Sequence, residues 1–313
     1  MGILPRLLIR SAISIAAIGT TAFYLTRRRL NEKCPRIPYS ALPEASACRN
    51  LIDSGQATPQ PAWGLPNSRL VPSWPDADGD DTTLTHWIPS FAAVQVEIPA
   101  SLLSAASLEF PHAGADNNDR SLLADVKKVV AAFLNARAAG VEPWILDRDV
   151  PPLEFTPGHH LFGTHPEPGA FLLGLWRSEG GVVEGLDPAG LPRGAPRPVA
   201  AFPSNAVVLG TRDGVHDSAG LVLYWMVAGK WMDKLNRASA ALYLPGHFMQ
   251  GGFQEFIVER VEEKTVRVTY VSVEASQRKV SGRLPWLLYE MHVMYAQSLL
   301  LGAVRRLRLS KQS

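Results

Sequence analysis

Phe253-Gln-Glu-Phe-Ile-Val-Glu-Arg-Val261, a break at Glu262-Glu263-Lys264, and Thr265-Val-Arg-Val-Thr-Tyr-Val-Ser-Val-Glu274 decide the fold, together with the long apolar segment that opens at Pro285-Trp-Leu-Leu-Tyr-Glu-Met-His292. In the second run Val266, Val268 and Tyr270 alternate with Arg267 and Thr269, the period of two that a half-buried strand requires. The two runs and their charged break predict a β-hairpin. From Pro285 to Leu309 the pattern becomes helical, and proline suits the first turn because its missing N–H would be unpaired there anyway. Winding this segment places Arg283, Glu290, Gln297 and Arg308 on one narrow stripe, and nearly everything else is apolar. Protein or lipid must therefore cover it. Its length also suits a second membrane span, but Glu290 and His292 near the middle favour a packed helix.

Upstream of the hairpin, Ala170 to Arg177, Val199 to Phe202, Ala206 to Arg212 and Leu221 to Val227 are predicted strands between Gly, Pro or Asp breakers, interrupted by a short helix around Lys230 to Leu242. Farther back, Ser121 to Ala139 is an amphipathic helix with Leu122, Leu123, Val126, Val129, Val130 and Phe133 on one face and Gly140 past its end. Phe91-Ala-Ala-Val-Gln-Val-Glu-Ile98 alternates as a strand that Pro99 stops. The expected class is α+β.

The N-terminal end has a different character. Between Arg10 and Arg27 no residue is charged, and with Leu7, Leu8 and Ile9 the apolar run to Leu25 reaches about the 20 residues that a bilayer-spanning helix needs. Positive charge is denser after the run (Arg27, Arg28, Arg29, Lys33, Arg36) than before it (Arg6, Arg10), which puts the following domain on the cytosolic side. A single-pass signal-anchor is the expected role. A mitochondrial presequence is the alternative, since arginine and serine are present and acids absent, whereas a cleaved signal peptide lacks small residues at the end of the run. Residues 1–30 are thus the anchor, 31–87 a Pro/Gly-rich tether, and 88–313 one folded domain.

Net charge is only +2, and the excess sits at the two ends, so no basic nucleic-acid face is expected. Cys34 and Cys48 are read as free thiols of a cytosolic linker, although an oxidising lumen would permit a bridge. With no cysteine after position 48, a cysteine-type zinc site in the domain is excluded. Neither Gly-x-Ser-x-Gly nor a dinucleotide or P-loop glycine motif occurs, which argues against a typical hydrolase, dehydrogenase or kinase.

An early strand, helices, a run of antiparallel strands and a long last helix resemble the START-like helix-grip superfamily over roughly residues 88–310. Phe91 to Pro99, the Leu122 to Ala139 helix and Val207-Val-Leu-Gly-Thr-Arg-Asp-Gly-Val-His216 are similar to an uncharacterised branch of it, from which the Leu186 to Pro198 insert departs. The resemblance implies a curved antiparallel sheet gripping the C-terminal helix over an apolar cavity. Members bind lipids, polyketides or terpenoids, or cyclise them.

His292 is the foremost candidate for chemistry. It lies on the face opposite Glu290 with Leu288, Tyr295 and Leu299, and Tyr270, Glu274 or Glu255 of the hairpin are candidates to oppose it. A buried histidine so partnered suits proton transfer on a hydrophobic substrate. His216, between Asp213 and Asp217, is a second candidate base, although Asp and Gly are also ordinary turn residues. Trp176, Trp225, Trp231 and Trp286 are candidate cavity linings. His159, His160 and His165 cluster, but no carboxylate stands at ligand spacing, so a loop is the preferred reading over a metal site.

The expected function is a membrane-associated tailoring protein of lipid or secondary-metabolite biosynthesis, cyclising or isomerising an apolar substrate without a cofactor. It would use His292, or His216 with Asp217, as the proton-moving groups and Tyr270, Glu274, Glu255, Trp225 and Tyr295 as substrate contacts. Its partners would be a hydrophobic small molecule, membrane lipid and enzymes on the same membrane. The alternatives are a non-catalytic carrier of lipid-like ligands and a membrane scaffold.

Overall fold

A computed structural model describes residues 19–53, 55–59, 62–67, 69–72, 86–105, 122–140, 155, 160–163, 169–177, 181–185, 217–226, 237, 251–277 and 286–311. In chain order its elements are a helix over residues 19–33 (α1), a helical turn Tyr39–Ala41, α2 (Ala47–Asp53), β1 (Gln56–Ala57), β2 (Arg69–Pro72), β3 (His86–Pro99) and α3 (Ser101–Ala105). Then follow α4 (Leu122–Ala138), β4 (His160–Gly163), β5 (Gly169–Arg177), β6 (Gly181–Gly185), β7 (Ser218–Met226), β8 (Gly251–Glu262), β9 (Thr265–Gln277) and α5 (Trp286–Ser310).

The expected hairpin is β8–β9, turning with an irregularity between Arg260 and Glu262. The early strand β3 closes along the free side of β9, antiparallel, with Val94 opposite Tyr270 and Val96 opposite Val268. On the other side β7 pairs with β8 and β5 with β7, so the described strands form one antiparallel sheet in the order β1-β2-β3-β9-β8-β7-β5-β4, with β6 also on β5. The α+β class and the packed C-terminal helix agree with the sequence reading. The predicted strands Val199–Phe202 and Ala206–Arg212 lie outside the described residues, as does the predicted helix around 230–242 apart from residue 237.

Strand alternation divides the apolar residues between two faces. One face carries Val94, Val96, Leu221, Leu223, Phe256, Val258, Val268 and Tyr270, and α4 and α5 cover it. At its centre Phe133 of α4 stacks on Tyr270, with ring centroids 4.9 Å apart, and meets Phe256 edge-on at 4.8 Å. The middle of the layer beneath the helices is therefore filled by these rings. α5 lies beside α4 and over β3.

The other face carries Phe91, Ala93, Val222, Tyr224, Phe253, Ile257, Val271 and Val273, and it is not bare. Here the described residues between 34 and 72, read from the sequence as part of a tether, pack on the sheet. Leu42, Ala47, Cys48, Leu51 and Ile52 are buried on this face, β2 extends the sheet beyond β3, and Arg36 bridges to Val94. Proline and small residues hid a short helix whose four apolar side chains (Ala47, Cys48, Leu51, Ile52) share one side. Cys34 and Cys48 are both buried free thiols.

Among the described residues no helix is long and apolar enough to cross a membrane. The apolar run from Leu7 lies outside them as far as Ile18, and its remainder forms the start of α1.

Candidate functional site

Because β7, β8 and β9 are in register, one row of the helix-covered face reads Trp225, Gly252, Glu274, with Ser90 of β3 beyond, and the next reads Leu223, Gln254, Ser272, Ala92. These rows end the apolar layer with polar groups. Glu274, Ser272 and Gln254 are all buried. Glycine at 252 is required by close approach: a Cβ there would stand 2.3 Å from the Val273 carbonyl oxygen and 3.1 Å from Trp225 Nε1. The bare glycine lets the Trp225 indole lie across the sheet toward Glu274.

Above these rows stands the first part of α5. His292 Nε2 is 2.7 Å from Glu274 Oε1. The contact is close in distance but does not form an aligned hydrogen bond. Ser272 Oγ donates to the same carboxylate oxygen at 3.2 Å, and Ser90 Oγ donates to the Glu274 carbonyl. One turn on from His292, Tyr295 enters the same region. Arg137 of α4, four residues after Phe133, brings its guanidinium into electrostatic range of Tyr270, Glu274 and Tyr295. Although Arg137 is only half-buried as a residue, burial of its head lowers its pKa to about 10, against the raising influence of those three groups. Burial pushes the Tyr270 phenol upward, Glu274 adds to the push, and Arg137 opposes it. Burial likewise raises Tyr295, again against Arg137. Both phenols thus stay protonated at neutral pH and keep an O–H to offer as a hydrogen-bond donor.

Three buried polar atoms here, Trp225 Nε1, Gln254 Oε1 and Tyr295 OH, have no hydrogen-bond partner among the described residues. Leaving such atoms unpaired costs about 1–3 kcal/mol each. They lie around a carboxylate–imidazole pair in which the carboxylate can orient the ring.

The structure thus places His292, Glu274, Tyr270, Trp225 and Tyr295 in one region. It separates Glu255, which is a correction. Strand alternation puts Glu255 on the opposite face from Gln254 and Phe256, where it is fully buried. It accepts hydrogen bonds from Ser46 Oγ (2.6 Å), the N–H groups of Ala47 (2.8 Å) and Cys48 (3.0 Å), and Trp176 Nε1 (2.8 Å). Burial raises its pKa and the four donors oppose that. Its role is to cap α2. Asp217 is separated too: it is exposed at the start of β7, eight residues and about 26 Å along the strand from Trp225. Asp213, His216, Trp231, His159 and His165 lie outside the described residues; His160 begins β4. No group of His, Cys, Asp and Glu among the described residues is arranged to hold a metal ion.

Ser272, Gln254 and Arg137 were not picked out from the sequence. The period of two from Glu274 points to Ser272, and the helical repeat from Phe133 points to Arg137.

A cleft of about 200 Å³ opens at the β3 edge, lined by Arg36, Gly64, Phe91, Tyr289 and Val293 among others. Its polar groups are already engaged: Arg36 grips Glu290 through two contacts (2.5 and 2.8 Å), and Tyr289 OH donates to the Phe91 carbonyl at 2.8 Å. No known family, curated protein or solved structure matches this chain.

Proposed function

We propose that this chain is a membrane-anchored protein of helix-grip type that takes up a mainly apolar small molecule, holds its polar end at Glu274–His292, and moves a proton on it. The reaction class is cyclisation or isomerisation. The observation that carries the reading is the set of three unpaired buried hydrogen-bonding atoms around a carboxylate–imidazole pair. A ligand bearing a carbonyl or hydroxyl would satisfy Trp225, Gln254 and Tyr295, and His292 would exchange a proton with it while Glu274 balances the charge.

The helix-grip reading is supported by the order of elements, by the closure of the first long strand on the last, and by register shifts in β5, which bend a strand. Since Phe133, Phe256 and Tyr270 fill the centre of the layer, the apolar body of the ligand belongs at the Trp225 end. The anchor reading is supported by α1, which continues the uncharged run and leaves Tyr24 and Leu25 exposed.

The test joins binding to turnover. The full chain is titrated with the fluorescent fatty acid cis-parinaric acid, and turnover of a membrane lipid extract is followed by mass spectrometry. Trp225→Phe and Tyr295→Phe should each weaken binding about tenfold, the worth of one hydrogen bond. His292→Ala should abolish turnover while probe affinity stays within about threefold. Binding without turnover in the wild type would assign a carrier, the reading that the same unpaired groups also favour. Failure of the wild type to bind any apolar probe removes both.

A further inference from the structure

α1 and α5 run side by side in the same direction. Arg27 Nε is 2.8 Å from Glu290 Oε2, its guanidinium lies over the Trp286 ring at 6.0 Å, and farther along Gln297 Nε2 donates to Asn31 Oδ1 at 2.7 Å. The residues of α1 before Arg27 therefore point past the end where α5 begins. Large apolar side chains gather at that end. Trp286, Leu287 and Met291 are about half exposed on α5, and Tyr24 and Leu25 stand exposed on α1 a turn before Arg27. Leu309 is the one other large apolar residue left exposed among the described residues, and it lies at the opposite end of α5 with Arg305, Arg306 and Arg308. The helix is about 37 Å long, so the exposed apolar cluster at its start is well separated from Leu309 at its finish.

We infer that the domain rests on the bilayer surface through the start of α5, with Trp286, Leu287 and Met291 inserted at headgroup level beside the emerging α1. This rests on the anchor reading and deepens it. The uncharged run Ser11 to Thr26 enters α1 at this same end, so the bilayer is brought to the patch by the chain itself. Tryptophan and tyrosine favour the headgroup region, and the adjacent exposed Arg29 complements anionic lipid, as does Arg28 beyond its pairing with Glu32. His292 lies about 9 Å along α5 from Trp286. The Glu274–His292 region is therefore at the membrane end of the fold, and its substrate class is a membrane-dissolved lipid rather than a water-soluble metabolite.

The full chain is reconstituted into phosphatidylcholine–phosphatidylserine vesicles whose acyl chains carry bromine, and tryptophan emission is compared between wild type and Trp286→Phe. Bromine quenches only indoles that reach the acyl boundary. The expected result is vesicle flotation for both proteins and a quenched component in the wild type that is missing from Trp286→Phe. Flotation with identical quenching in the two proteins overturns the surface inference and leaves the anchor standing. Absence of flotation overturns the anchor reading and this inference with it. Flotation with identical quenching, joined to a concentration-dependent oligomer that Leu287→Glu disperses, would assign the patch to a second copy of the chain instead.

Discussion

Glu255 shows how one side chain ties a separate stretch of chain to the sheet. It projects from β8 into the start of α2, where Ser46, Ala47 and Cys48 present their donors, and Trp176 supplies a fourth from β5. Trp176 reaches it because its ring lies over Gly220 on the neighbouring strand, where a Cβ would stand 2.2 Å from the indole. The pairing repeats on the opposite face, with Trp225 over Gly252. Replacing Glu255 by Ala leaves these buried donors without an acceptor. A loss of about 3 kcal/mol is expected in urea denaturation, on the scale of 1–3 kcal/mol for each buried group left unpaired. Leu51 and Ile52 should then become reactive to proteolysis before the rest of the chain. From the sequence alone Glu255 and Glu274 looked equivalent as partners for His292. Only parity along paired strands separates them: Glu255 stands opposite Val271, whereas Glu274 stands opposite Gly252.

At the scale of elements, α4 decides what kind of interior the fold has. Its apolar face was plain in the sequence, but what that face meets was not. Phe133 is buried between Phe256 and Tyr270, so the helix occupies the middle of the sheet and leaves α5 to cover the β3 side. Phe133→Ala should cost about 3–5 kcal/mol in chemical denaturation, the usual loss for a buried phenylalanine whose surroundings relax only in part. The void it leaves would adjoin Tyr270 and Arg137. The variant, if folded, should therefore bind bulkier apolar probes than the wild type. Unchanged probe selectivity would show that the Glu274–His292 region and the aromatic centre are separate spaces.

Across the whole molecule, Glu290 holds the N-terminal helix to the domain. Burial would raise its carboxyl, but Arg36 and Arg27 outweigh that and hold it below the usual carboxylate range. A carboxyl lowered by folding contributes stability above its unfolded value of about 4.3, and that contribution is lost as pH falls through the folded value. Docking of α1 should thus weaken on acidification below about pH 4. Glu290→Gln should undock α1 already at neutral pH, costing about 2 kcal/mol, less than a fully buried pair because both arginines keep some water contact. Hydrogen exchange of residues 19–33 checks this: faster exchange there, with β8 and β9 unchanged, is the expected pattern. Equal protection in the variant would show that the hydrogen bonds of Gln297 to Asn31 and Cys34 hold the helix without the ion pairs.

Local periodicity determined much of this protein. Alternation in Phe91–Ile98 and Thr265–Glu274 and the apolar faces of the two long helices follow from which side chains must leave water, and they were legible residue by residue. The sequence offered Tyr270, Glu274 and Glu255 alike as groups to oppose His292, and it had no means of choosing among them. The tertiary structure decided what faces share space. Residues 34–72 carry no long apolar repeat, and they become part of the fold only because one side of the sheet needs a cover and Glu255 offers a cap. The stripe of Glu290 and Gln297 found partners in Arg27 and Asn31 of a helix more than two hundred residues earlier. Register and long-range pairing depend on contacts between distant segments, and no local pattern in the chain encodes them.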